Sequence, residues 1–384
     1  MTGHWQMVPL GEVLTPAGEP HRVETERTYL NIGLYSFARG CFGKPPIDGN
    51  LTSAPTLYRV RSGQFIYSRL FAFEGAYAVV PDEFDGAFVS NEFPCFDVRE
   101  DRALPRYLRW MFSLPTVWAT LADGSKGMGD RRKRVHPDQI LAFRAAMPPL
   151  DVQRRIVELL DAVEARIIRR QREAEAMDVE LSAMLASAFH RITQGAPRQR
   201  MAAVAPLVRR MAAIDLDSAY PELGVRSFGK GTFHKPPLAG ADVGSKRLFV
   251  VHSGDLVFSN VFAWEGAVAV AEANDHGRFG SHRFITRVPD PGRATALFLC
   301  FWFLTPEGLQ KLGEASPGGA GRNRTLGLEA LDSIEVPIPS FDAQEWFDAL
   351  QQKVRATREL QEAAVAELDA MLPAILDKAF KGGL

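Results

Sequence analysis

The sequence predicts a mixed α/β (α+β) fold: two similar globular parts separated by a pair of long antiparallel helices and related by a pseudo-twofold internal repeat. Three observations lead there. The chain of 384 residues repeats itself at a constant offset of 191. Each copy is rich in short β-type runs bounded by Gly, Pro and Asp. Each copy then ends in a long segment patterned as a single helix.

The repeat is carried by motifs. Gly33-Leu-Tyr-Ser-Phe-Ala-Arg-Gly-Cys-Phe-Gly-Lys-Pro-Pro46 returns as Gly224-Val-Arg-Ser-Phe-Gly-Lys-Gly-Thr-Phe-His-Lys-Pro-Pro237. The same shift carries Ser62-Gly63 onto Ser253-Gly254, Glu74-Gly75-Ala76 onto Glu265-Gly266-Ala267, and Asp151-x-Gln153 onto Asp342-x-Gln344. A register held over that distance marks the duplication of a whole unit. The expected divisions are 1–147 and 196–338 for the globular parts, and 148–195 and 339–384 for the long helices.

Within the first part, Thr56–Val60, Gln64–Tyr67 and Ala76–Val80 read as strands, followed by a short helix over Pro105–Phe112. The second part repeats the order with Arg247–Val251, Asp255–Phe258, Ala267–Ala271 and a helix near Ala294–Trp302. From Asp151 to about Arg191 there is neither Gly nor Pro, and apolar residues recur at Ile156, Leu160, Val163, Ile167, Ala174, Met177, Leu181 and Met184, with Arg170 at the skipped position. Steps of four and three are the heptad seam of a coiled coil, and such a helix is a rod of roughly 50–60 Å. The second helix keeps Phe347, Val354, Leu368, Leu372 and Ile375 in register but places Gln351 and Gln361 on the seam. Pro373 falls inside it and should bend it or mark a new start.

Composition is that of an ordinary globular protein, 46% hydrophobic and 24% charged. No apolar run approaches the roughly 20 residues of a membrane span, and the first residues lack the pattern of a signal peptide, so a cytoplasmic protein is expected. Three cysteines without a Cys-x-x-Cys pair argue against a disulfide framework or a zinc ribbon. The net charge of -1 leaves nucleic-acid binding to local basic patches. No phosphate loop, His-Glu-x-x-His, Gly-x-Ser-x-Gly, dinucleotide fingerprint or Asn/Asp-Pro-Pro-Tyr/Phe motif occurs, and no metal or catalytic set is expected. Jointly these absences favour a binding protein over an enzyme.

Lys126-Gly-Met-Gly-Asp-Arg-Arg-Lys-Arg134 carries the basic residues Lys126, Arg131, Arg132, Lys133 and Arg134 between flexible glycines. Its counterpart runs Gly318 to Arg324 and carries Arg322, Asn323 and Arg324. Arg can grip phosphate or read guanine, and Asn can pair with adenine. A solvated basic turn is the competing reading, and duplication brings the contact reading level with it. Arg39 and Lys44, echoed by Lys230 and Lys235, flank a Gly-rich turn that ends in a proline pair, which either contacts DNA or simply orders a loop. Ser68–Gly75 and Ser259–Gly266 read mostly as core, with Arg69 and Asn260 as a guanine-type and an adenine-type reader should they point outward. Asn91 against His282, and the loop 51–56 against 241–246 with Lys246, are further differences able to separate two specificities.

Several of these motifs, with Val8-Pro-Leu-Gly-Glu12, Pro148-Pro-Leu-Asp-Val-Gln-Arg-Arg-Ile-Val157, Pro337-Ile-Pro-Ser-Phe-Asp-Ala-Gln344 and the closing Glu367–Lys381, resemble the specificity (S) subunit of type I restriction-modification systems over essentially the whole chain. The resemblance implies two target recognition domains, each reading half of a bipartite double-stranded DNA target, with the helices measuring the unread spacer. It implies docking of two methyltransferase (modification) subunits through the helical regions, with Gln153, Ile156, Leu160, Val163, Ile167, Gln344, Phe347, Val354, Leu368 and Leu372 as the positions assigned to that docking. It also implies recruitment of restriction or translocase subunits. S-adenosylmethionine would be bound by the partner, with no cofactor in this chain. The polar second seam departs from the family pattern, and the likeness of the two globular parts suggests half-sites that share bases. Two alternatives use the same features: a specificity subunit of a fused methyltransferase-nuclease system, and a coiled-coil adaptor that binds no DNA.

Overall fold

The offset of 191 residues is kept in the backbone. The computed structural model describes residues 5–123, 134–318 and 324–381, and the chain divides into two compact units: residues 1–174 with 361–384, and residues 175–360.

In the first unit a five-stranded sheet runs in the order Glu19–Arg22, Thr56–Arg59, Phe88–Val89, Thr28–Leu34, Cys41–Asp48. A four-stranded sheet follows the order Leu14–Pro16, Cys95–Val98, Phe65–Tyr67, Tyr77–Val79, and Met7–Pro9 pairs with Arg144–Ala146. The second unit rebuilds this with Thr232–Ala239, Ala219–Val225, Phe279–Ser281 and Leu248–Val250, then Val268–Val270, Leu256–Ser259 and Phe284–Arg287, and the pair Arg198–Arg200 with Glu335–Pro337. Even the strands that shorten in the second unit leave their register behind. Pro16↔Phe96 and Pro20↔Tyr58 become the single bridges Leu207↔Arg287 and Met211↔Phe249. The strands and short helices expected from sequence are all present, within one or two residues at their ends.

The Lys-Pro-Pro segments lie within the edge strands Cys41–Asp48 and Thr232–Ala239, not in a loop. Proline has no N–H to donate, so an edge is where a sheet tolerates it, and it also blunts the edge against pairing with another chain.

Each unit packs one sheet, the four-stranded one in the first unit and the three-stranded one in the second, on a short aromatic-rich helix and on segments of both long helices, Leu150–Thr193 and Phe341–Phe380. In the first unit Tyr107, Leu108, Trp110 and Met111 join Phe65, Tyr67, Tyr77, Ile156, Leu160, Leu376 and Ala379 in one core. In the second, Phe298, Leu299, Trp302 and Phe303 join Leu185, Phe189, Phe347 and Val354. The long-helix segments are antiparallel in both. Gln171 bonds Asp369 at 3.2 Å in the first unit, and Arg358 bonds Ser182 at 2.7 Å in the second.

The seam of the first long helix is displaced from the expected one in its middle. Ile156, Leu160 and Ile167 are buried as expected, but Met177 and Met184 are exposed, and Leu185, Ala188 and Phe189 are buried in their place. Gln171 and Asp178 hold the positions given to Arg170 and Met177, and they are satisfied by polar partners, Asp369 for Gln171 and Arg358 for Asp178. A one-residue shift keeps the heptad step while placing a hydrogen-bonded and an ion-paired residue on the seam, which apolar periodicity cannot detect. The second helix is continuous through Pro373, so no new start occurs there.

Candidate nucleic-acid interface

The two most strongly repeated motifs bind each other. The turn joining Thr28–Leu34 to Cys41–Asp48 places Phe37 in the left-handed region at φ 62°. Its N–H donates to the Glu74 carbonyl at 2.7 Å, the Ala38 N–H donates to Gly75, and the Ser36 hydroxyl donates to the Glu74 carboxylate at 3.0 Å. The second unit repeats each bond: Phe228, at φ 63°, donates to Glu265, Gly229 to Gly266, and Ser227 to the Glu265 carboxylate at 2.9 Å. Glu74 and Glu265 therefore lock one turn onto another. Gly75 is needed there twice over, since its φ is 79° and an added Cβ would lie 2.5 Å from the Trp118 ring.

This lock leaves an aromatic pair on the surface of each unit. Phe37 and Phe71 are 63% and 49% exposed, and Phe228 and Phe262 are 74% and 41% exposed. Reading the block 68–75 as mostly core is thus corrected for Phe71 and Phe262. The available signal was a large apolar residue repeated inside a turn signature, where no sheet face could bury it.

Beside the aromatic pair lie basic and amide groups. Arg69 and Asn260 occupy equivalent places. Their N–H groups donate to the carbonyls of Glu92 and Arg283, and their carbonyls accept from Val135 and Leu326, one and two residues beyond the basic loops. Arg69 Nε, Asn260 Oδ1 and Glu92 Oε2 are buried without a hydrogen-bond partner. Such groups are costly unless something else satisfies them. Arg134 pairs with Glu92 at 3.1 Å, and Arg324 lies 5.1 Å over the Trp264 ring. Lys44 sits 5.0 Å over Phe93, with its stem crossing Gly33, where a Cβ would meet it at 2.4 Å. Arg39 stacks 4.9 Å over Tyr35 and donates to the Ser36 carbonyl. Lys230 and Lys246 are exposed and Lys235 is half-buried. Lys126, Arg131, Arg132, Lys133, Arg322 and Asn323 lie outside the described residues.

The exchange of Cys41 and Gly43 for Thr232 and His234 has a third member. Phe84, against which Gly43 packs, becomes Asp275, whose buried carboxylate accepts from Thr232 at 2.8 Å and contacts His234 Nε2 at 3.0 Å. An apolar corner in one unit is thereby a polar corner in the other. Burial, aided by Glu83, pushes the Cys41 thiol up to about 12, so the apolar corner carries no charge.

The helix positions assigned to partner docking are largely internal. Gln153 is fully buried: it accepts from the Leu104 N–H at 2.9 Å and donates to the carbonyls of Pro148 and Arg102. Gln344 makes the same three bonds with Thr295, Pro339 and Arg293. The helix entry Pro-x-x-x-x-Gln, Pro148 to Gln153 and Pro339 to Gln344, is therefore a joint fastening helix to globular part. Ile156, Leu160, Ile167, Phe347 and Val354 are buried, and Val163, Leu368 and Leu372 partly so, which leaves the outer helix faces as the surface a partner could meet.

Among the described residues no group of three or more His, Cys, Asp or Glu could hold a metal ion, and no helix is long and apolar enough to cross a membrane. What the surfaces offer is stacking rings, fixed amides and cations, the groups that hold phosphate and read base edges.

No family model and no curated protein matches the chain. Solved structures do. The HsdS subunit from Thermoanaerobacter tengcongensis superposes with a TM-score of 0.59 at 21% identity, covering 99% of this chain and 97% of that one. A chain from a structure on complex assembly and conformational transition of the type I R-M system gives 0.66 at 19% identity, covering 99% and 98%. The S subunit of the type I restriction-modification system from M. genitalium gives 0.51 at 10% identity, covering 98% and 96%. From end to end, this chain has the fold of type I S subunits.

Proposed function

We propose that the protein is the non-catalytic DNA sequence-specificity subunit of a type I restriction-modification complex. Each unit reads one half of a bipartite target, and the long helices set the unread spacer. The observation that carries this reading is the duplication of a basic and aromatic surface on a fold that matches S subunits over their whole length. Methyl transfer from S-adenosylmethionine to adenine belongs to the modification subunits, and restriction or translocase subunits join the same assembly. The modification subunits dock on the outer faces of the long helices, where Leu159, Ile168, Val179, Leu360 and Met371 are exposed.

Duplex binding tests the reading against a protein adaptor. Phosphate contacts make affinity fall steeply with salt, with a log–log slope of about -0.9 for each phosphate neutralised. Chain co-purified with its modification subunit should bind duplex with such a slope, and Arg131→Glu with Arg132→Glu should lower both affinity and slope while the partner is retained. Salt-independent or absent binding would favour the adaptor.

A further inference from the structure

The first unit contains a cleft whose aromatic wall is overlain, in the duplicate, by one of its own side chains. The cleft is about 370 Å³, at the small end of ligand-pocket sizes, and its walls include Gly18, Tyr58, Asn91, Phe93, Cys95 and Pro137. A Cβ built on Gly18 would touch the Tyr58 ring at 3.4 Å, so a side chain at this position would lie over that ring. In the second unit the counterparts of Gly18 and Tyr58 are Arg209 and Phe249, and the Arg209 guanidinium does lie 5.6 Å over the Phe249 ring. The duplicate thus shows what the wall accepts: a flat, nitrogen-rich group stacked on an aromatic face.

We propose that this cleft binds an unpaired nucleobase of the DNA, a proposal that rests on the DNA-binding reading above. Two flat groups fit the wall, a base and a guanidinium, and charge separates them. Among the described residues no carboxylate lines the cleft, and burial pushes the Cys95 thiol up to about 12. The Lys44 ammonium lies 5.0 Å over the ring of Phe93, one of the walls, where it would meet a phosphate. Tyr58 and Phe93 supply stacking faces, and the Asn91 amide offers a donor and an acceptor to a base edge. With Arg209 over its ring, the second unit has that face taken, so the two units differ: the first holds an unpaired base and the second does not.

The test uses the full chain and two mixed-sequence duplexes, one fully paired and one with a single unpaired 5-iodo-2′-deoxyuridine. After ultraviolet cross-linking, attachment sites are mapped by peptide mass spectrometry, and yield is taken per bound duplex. The expected result is attachment at Tyr58 or Phe93, reduced about fivefold or more in Gly18→Arg, the low end for the loss of one base-aromatic stack. Gly18 is not in a left-handed conformation and its surroundings are open, so the arginine is accommodated. Arg209→Gly should open the second unit and add attachment at Phe249. Equal yield in Gly18→Arg, attachment only elsewhere, or blocking by arginine amide but not by deoxynucleoside monophosphates would overturn the proposal. If the paired duplex binds and no cross-link forms, the cleft proposal alone fails; if neither duplex binds at low salt, the DNA-binding reading fails with it.

Discussion

The two units share a backbone and differ in what they present. The turn-on-turn lock, the buried glutamine joint and the strand registers recur residue for residue at the offset of 191. Against that constancy, Arg69 faces Asn260, the corner Cys41, Gly43 and Phe84 faces Thr232, His234 and Asp275, and Gly18 faces Arg209. Hydrogen bonds that the main chain makes to itself tolerate side-chain change, so one scaffold can carry two surfaces. Such differences are able to give the two units different base preferences.

The comparison can be broken most severely at the lock. Gly75→Ala drives a Cβ into the Trp118 ring, itself held by its Nε1 bond to the Phe112 carbonyl, whereas Gly266→Ala meets the flexible ends of Leu309 and Leu304 and, at an ordinary 3.6 Å, the Phe228 Cα. The first should cost about 4 kcal/mol and the second about 1–2 kcal/mol, chiefly left-handed strain. Chemical denaturation followed by limited proteolysis would show which unit opens, and equal losses would mean the locks are not built as described.

The glutamine joints should respond alike. Gln153→Ala and Gln344→Ala each remove one acceptor and two donations at a buried site, at a cost of about 3 kcal/mol. A loss in one unit several times that in the other, read from the same melts, would break the equivalence.

The smallest effect separates the units by pH. Asp348 stands where the first unit has the buried Val157, and burial, opposed by Thr295 and Gln351, raises its carboxyl from 3.8 to about 6. The folded carboxyl keeps its proton up to about pH 6 while the unfolded chain releases it near 3.8, so stability falls as pH rises through that window. Asp348→Asn should remove that fall and stabilise the second unit above pH 6 by on the order of 1 kcal/mol, after allowing for solvent screening. Melting temperatures at pH 4.5 and 7.5 that respond identically in wild type and variant would refute the assignment.

Much of this was legible in the sequence because duplication is a long-range signal. Motifs such as Glu74-Gly75-Ala76 and Asp151-x-Gln153 marked equivalent places before any contact was known, and the short strands followed from their turn residues. What those motifs do was not legible. Gln153 was assigned to partner docking, and only the fold reveals the three partners that let it be buried. The middle seam was misplaced by one residue because Gln171 is held there by a hydrogen bond and Asp178 by an ion pair, which have no periodicity of their own. Phe37 was missed because its exposure depends on a left-handed turn and on Glu74, thirty-seven residues away in the chain.

The central claim is that the two units read two separate half-sites. Adenine methylation mapped by direct long-read detection, in cells with and without this gene, tests it most directly. The account predicts that methylation disappears at a single bipartite motif, and that exchanging residues 224–325 for those of another S subunit changes one half of that motif alone. Unchanged methylation in cells that express the modification subunit, or a swap that alters both halves, would contradict it.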